Sequence, residues 1–301
     1  MNSRNPVSVA AITTQFLQRP GLSPATVKSY ESTLLPFLAE YGSFAIEILT
    51  RQTVSEYLNG LTQISYTTHH RHQSIIQALF NFAVEQGYVA HNPIARLKRR
   101  KPDASKGEHS TDTIIRYLTP DQLVVLYGAV QSDLRMNAIV HLLHRTGARI
   151  AEILALDLKN VNLAQQKFQV IGKGNRQRWC YYSDDAAQAL ADYFKYERHS
   201  THTALFTAQQ PFTKEVSRLH YRTVHDRWTE LIAPASELAD IRMHDLRHTF
   251  ATERVGLISL EELRALMGHQ KIETTLRYQK VTSQRAEIAA KRAFNSLKNA
   301  E

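Results

Sequence analysis

Apolar positions in the first ninety residues recur at helical spacing. After Ser23-Pro24, a pair suited to an N-cap and the first helical position, Val27, Tyr30, Leu34, Phe37 and Leu38 fall on one face. A second helix starts at Thr50 and turns Val54, Tyr57 and Leu58 inward. A longer one runs from about Tyr66 to Gln86, with Ile75, Ile76, Leu79, Phe80 and Phe82 as its apolar side, and Gly87 stops it. Four or five small helices without strand alternation predict a compact helical domain over residues 8–95.

The second half reads differently. Leu118-Thr119-Pro120-Asp121 is a new helix start with Thr119 as cap, and helical patterns follow over about 133–145, 150–155 and 184–197. Between them, 167–170 and 177–182 alternate as strands around the turn Gly172-Lys173-Gly174-Asn175. The remainder is helical, over about 218–232, 244–255 and 260–267. The chain is therefore mainly α, with an α+β domain over 116–301 rather than a doubly wound sheet. Residues 96–115 join the halves. Arg96, Lys98, Arg99, Arg100 and Lys101 put five basic groups into six positions, followed by Pro102, Ser105, Lys106 and Gly107. Such a run is either a solubilising hinge or a strap along a phosphate backbone.

The charge balance favours the strap. A formal charge of +9 and a pI near 9.6 draw polyanionic partners, although charge alone does not separate nucleic acid from an acidic protein. At 301 residues and 43% hydrophobic the chain needs no covalent staple. Cys180 is the single cysteine, which excludes an intramolecular disulfide and fits a reducing compartment. The first residues lack a signal-peptide pattern, and no apolar run is long enough to predict a membrane span.

Candidate chemistry gathers in the second half. Tyr278 is one of 13 tyrosines and has no claim alone. His244 and Arg247 stand three apart on a helix and can address one phosphate together, with Leu246 and Phe250 buried behind them. Arg149 follows Gly147 at a helix start, and Glu152, three residues on, is placed to hold its guanidinium fork. Lys173 sits at a hairpin tip without the spacing of a nucleotide-binding loop, which suits a mobile proton donor. Gly268-His269 completes the set. Each of these has a bland structural account, and the argument is joint: a phenol attacks phosphorus only if it is deprotonated and the developing charge is stabilised. His248, one step past Arg247, is expected to point elsewhere and to play a supporting part. His69, His70 and His72 crowd together without an orienting carboxylate, so they read as a polar helix face rather than a zinc site. No metal or other cofactor is expected.

Taken together, the chain resembles the tyrosine recombinase (phage integrase) family over roughly residues 10 to 295. The resemblance is carried by Thr-Gly-Ala-Arg149-Ile-Ala-Glu152, Gly-Lys173-Gly, His244-Asp-Leu-Arg247-His, Leu-Met-Gly-His269 and Tyr278. It implies a helical core-binding domain ahead of an α+β catalytic domain. It also implies site-specific recombination, in which Tyr278 forms a 3′-phosphotyrosyl link and frees a 5′-hydroxyl. Arg149, Arg247 and His269 would stabilise the phosphorane-like state, His244 would take the phenolic proton, and Lys173 would protonate the leaving oxygen. The implied partners are double-stranded DNA with paired half-sites and further copies of the chain, a dimer on one site and a tetramer around a Holliday junction, with a related recombinase or accessory factor as a further partner. The expected location is cytoplasmic and nucleoid-associated. Because the helical pattern starts early, no additional arm-site domain is expected. Ala286, Ala289, Ala290, Phe294 and Leu297 suggest a tail helix that docks on a neighbouring copy. The rival functions are a type IB topoisomerase-like nicking-closing enzyme and a DNA-binding protein that does not cut.

Overall fold

A computed structural model describes residues 6–108, 115–172, 177–279 and 290–291. The chain divides into two compact units, Met1–Thr113 and Ile114–Glu301.

The first unit is a helical cluster: α1 Val9–Gln18, α2 Pro24–Tyr41, α3 Arg51–Gly60 and α4 Tyr66–Glu85. Ser8, Ser23, Thr50 and Ser65 cap the four N-termini, each side chain accepting from the backbone amide three residues on. Ile12, Phe16, Leu34, Phe37, Ile76 and Leu79 bury completely between them. The three histidines are not a polar face, because His69 and His72 lie on the inner side of α4 and are buried. The ring of His69 hydrogen-bonds the Leu58 carbonyl at 3.0 Å, and burial lowers the pKa of both. The basic segment is also less open than its composition suggests. Gln73 donates to the Leu97 carbonyl, and the Glu108 carboxylate accepts from the Tyr66 amide, the Asp103 amide and Arg100 at 2.7–3.0 Å. Arg96, Lys98, Arg99 and Lys101 keep their side chains in solvent.

The second unit runs α5 Pro120–Val130, α6 Leu134–Thr146, α7 Ile150–Leu154, β1 Val161–Asn162, β2 Lys167–Ile171, β3 Gln177–Tyr181, α8 Asp184–Tyr196, β4 Thr207–Gln209, β5 Val216–Arg218, α9 Tyr221–Ile232, α10 Met243–Arg254, α11 Leu260–Met267 and α12 Ile272–Leu276. Strands β1–β2–β3 form an antiparallel sheet in which Phe168 faces Cys180, and β4–β5 form a separate ribbon. Arg218 therefore belongs to a strand, paired with Thr207, and α9 begins three residues later than its apolar pattern predicts. Helix α6 lies at the centre, completely buried at Ala138, Ile139, Val140 and Leu142, and packs on α5, α8 and α10. Among the described residues no helix is long and apolar enough to cross a membrane.

One glycine sets the corner from which the site is built. Gly147 caps α6 with a left-handed φ of +62°, and a Cβ there would lie 2.5 Å from the Phe250 ring of α10. Gly147→Ala combines backbone strain with overpacking and is expected to cost about 2–4 kcal/mol in urea denaturation of the full chain. An unchanged midpoint would show that α6 and α10 do not meet this closely.

Candidate active site

The corner after α6 delivers Arg149 as the N-cap of α7. The Glu152 carboxylate accepts from the Arg149 backbone amide at 2.8 Å and from its Nη1 at 3.0 Å, so the acid at the third helical position holds both the N-cap amide and its guanidinium. The Arg149 side chain is 43% exposed, so one edge of the fork stays open. Glu152 is held from the other side by Arg178 of β3, whose Nη1 and Nη2 donate to its two oxygens at 3.0 and 2.7 Å. Burial raises the Glu152 pKa, but the hydrogen bonds from Arg178 and the Arg149 amide, together with both guanidinium charges, outweigh it and hold the carboxyl at about 2.

Helix α10 contributes the next group. Arg247 is only 2% exposed, and its guanidinium donates to the Gly147 carbonyl and, at 2.7 Å, to the Met267 carbonyl. His248 does not point elsewhere: its Nδ1 lies 2.9 Å from the Tyr278 hydroxyl. Positions 244 and 248 are one helical turn apart and share a face, and the turn Arg277–Gln279 after α12 brings Tyr278 to the C-terminal member of that pair. His244 is exposed and sets its ring edge-on against His248, with centroids 4.8 Å apart.

His269 follows the left-handed cap Gly268 at the end of α11. Its Nδ1 pairs with the Thr275 hydroxyl at 2.9 Å, and its ring lies parallel to that of Tyr278 at 6.3 Å. The surroundings are strongly cationic. Burial, then the Arg247, Arg149 and Arg178 guanidiniums, lower the His269 pKa to about 3. Burial, then His244, lower that of His248 to about 4. Tyr278 is 8% exposed, and burial raises its pKa against the pull of Arg247, Arg277 and Arg149.

A cleft of about 420 Å³ opens beside these groups, lined by Arg149, Arg178, Arg264, His269 and Lys271. Such a cleft suits an anion with several oxygens. Lys173 lies outside the described residues, as do Ala286, Ala289, Phe294 and Leu297 of the expected tail helix, while the hairpin ends Gly172 and Gln177 both line the cleft. Arg149, Arg247, His244, His248, His269 and Tyr278 thus meet at one place, together with Glu152. Sequence reasoning misses Arg178, although a signal is present. Gln177, Trp179 and Tyr181 face out of β3, so Arg178 shares the inner face with Cys180, where a charge requires a partner. Among the described residues no group of three or more His, Cys, Asp or Glu side chains is placed to hold a metal ion.

The phage integrase family profile matches residues 116–285, more than half of the chain. Tyrosine recombinase XerC of Staphylococcus haemolyticus is 26% identical over 280 residues, covering 87% of this chain and 88% of that protein. XerC of Mycobacterium tuberculosis is 29% identical over 272 residues, with the same coverage. Among solved structures, the Tn1549 transposon integrase in complex with a circular intermediate DNA superposes with a TM-score of 0.73 at 19% identity, covering 95% of this chain and 99% of that one. A lambda integrase dimer bound to a COC′ core site gives 0.69 at 16% identity, covering 91% and 96%. A lambda integrase tetramer bound to a Holliday junction gives 0.68 at 16% identity, covering 90% and 80%. These structural likenesses are of fold: helices first, then an α+β domain.

The depressed histidines make a stability prediction. Folded-state pKa values near 4 and 3, against 6.5 for the free side chain, mean that the unfolded chain binds more protons in acid. Stability is then fully present above pH 6.5 and falls as pH drops toward 4 and 3, by roughly 1–2 kcal/mol per histidine between pH 7 and 5. Urea midpoints should decline over that range, and less steeply in His269→Gln. A flat profile from pH 7 to 5 would contradict the burial of these rings.

Proposed function

The chain belongs to the phage integrase family and is a site-specific tyrosine recombinase, and we propose that Tyr278 is the nucleophile with which it breaks DNA. The observation that carries this is the 2.9 Å contact between the Tyr278 hydroxyl and His248 Nδ1, at the edge of a site holding Arg149, Arg247 and His269. The Tyr278 oxygen attacks the scissile phosphorus, forms a 3′-phosphotyrosyl bond and expels the 5′ oxygen. The two arginines and His269 hold the non-bridging oxygens as charge builds on them. His248 takes the phenolic proton, and His244, set edge-on behind it, limits its rotation. This replaces the assignment of His244 as base with one argued from the contact. In the DNA-free site His248 is too weak a base, with a pKa near 4. The phosphate's negative charge favours the imidazolium and raises that pKa against the burial and His244 that lower it, so base strength arrives with substrate. Lys173, carried by the hairpin whose ends line the cleft, protonates the departing oxygen. The free 5′-hydroxyl of a partner duplex reverses the step, so the phosphodiester energy is conserved without a nucleotide cofactor.

The DNA partner is a duplex with paired half-sites. The solved lambda integrase dimer on a core site and tetramer on a Holliday junction support a dimer on one site and a tetramer in synapsis. Exposed Arg96, Lys98, Arg99 and Lys101 would lie along the phosphate backbone, and a related recombinase or accessory factor is a further expected partner. The chain would then work at the nucleoid, in the cytoplasm.

Two differently labelled duplexes carrying a candidate site, drawn from DNA flanking the gene, test this reading. Wild type is expected to yield a Holliday junction and exchanged products; resealing of each parent without exchange would leave a nicking-closing enzyme. In the same assay His248→Ala should lose first-strand cleavage by on the order of 10²-fold. If only His244→Ala does so, the proton goes to His244.

A further inference from the structure

Arg178 is a largely covered cation to which the proposed mechanism gives no part. We infer that it is a positioning residue that locks the Arg149 guanidinium in place through Glu152. The inference rests on Arg149 binding the scissile phosphate.

Three observations carry it. First, Glu152 is 8% exposed and is held between two cations, so its orientation is set by both. Arg149 reaches it through one side-chain donor and its own backbone amide, whereas Arg178 grips both oxygens in parallel. The bidentate pair has the more restrictive geometry, and it fixes the carboxylate plane that Arg149 then follows. Second, Arg178 Nε donates to the Leu266 carbonyl at 3.1 Å, in the last turn of α11. One side chain therefore joins α7, β3 and α11, the elements that carry or adjoin Arg149, the Lys173 hairpin and His269. Third, the space is fitted to it: a Cβ on Gly268 would stand 2.9 Å from the Arg178 side chain. Arg178 lines the cleft but is only 11% exposed, and its Nε, Nη1 and Nη2 each donate to Leu266 or Glu152, so its orientation is set from within the protein.

A double-mutant cycle in single-turnover cleavage of a nicked duplex tests this, using the full-length chain and Arg178→Ala, Arg149→Ala and the pair. Arg178→Ala is expected to cleave on the order of 10²-fold more slowly with duplex binding unchanged, because a guanidinium displaced by about 1 Å loses the transition-state contact. In the Arg149→Ala background the same change should matter by no more than about twofold, since the residue it positions is gone. If the two losses multiply, Arg178 acts independently of Arg149 and the inference is overturned. If Arg149→Ala alone cleaves normally, the reading of the site itself fails. Removing Arg178 leaves a buried carboxylate with one partner fewer and can unfold the region. Arg178→Lys keeps the charge but cannot make the parallel pair of bonds. It should melt close to wild type and still lose most of the cleavage rate, and full activity in Arg178→Lys would equally overturn the inference.

Discussion

The site depends on a cation buried without a carboxylate of its own. Arg247 lies inside the second unit, and its guanidinium is held by the carbonyls of Gly147 and Met267. A buried charge held by neutral acceptors is costly, and the arrangement persists because each acceptor is an otherwise unpaired carbonyl at a helix C-terminus. Those carbonyls belong to the ends of α6 and α11, where left-handed glycines turn the chain toward Arg149 and His269. The same contact that neutralises two helix ends therefore brings the corner bearing Arg149, the helix bearing His248 and the turn bearing His269 together.

The electrostatics follow from that choice. Arg149, Arg178 and Arg247 surround one carboxylate, Glu152, which is driven down to about 2 and cannot balance them all. Burial and then these guanidiniums push His269 far below its ordinary range, and burial and then His244 do the same to His248. The site is a set of donors and imidazoles with a charge suited to an anion. In the proposed reaction a phosphodiester would supply that anion, satisfy the arginines and raise the base strength of His248.

Much of this is legible in the sequence because it is local. Pro120 after Thr119, the left-handed Gly147 and Gly268 and the apolar periodicity of α10 are short-range signals, and the Arg149–Glu152 pair lies within four residues. What escapes is long-range or short in extent. Strands β1, β4 and β5 have two or three residues each, too few to show alternation, so Arg218 is absorbed into the following helix. Helix α1 has its cap at Ser8 and its core residues at Ile12 and Phe16, a pattern of little more than two turns. His248 is assigned to the wrong side because helix spacing defines a face but not the segment, thirty residues later, that will approach it. Arg178 pairs with a residue 26 positions earlier, and only the inward phase of β3 hints that it must pair at all.

The most direct measurement is covalent trapping on a nicked suicide duplex that carries the candidate site, in EDTA, with wild type and Tyr278→Phe compared on denaturing gels. The account predicts a 3′-linked protein–DNA adduct with wild type and none with Tyr278→Phe, while both bind the duplex equally. An adduct that persists in Tyr278→Phe would contradict it, because the nucleophile would then lie elsewhere and the contact between His248 and Tyr278 would have no part in the chemistry.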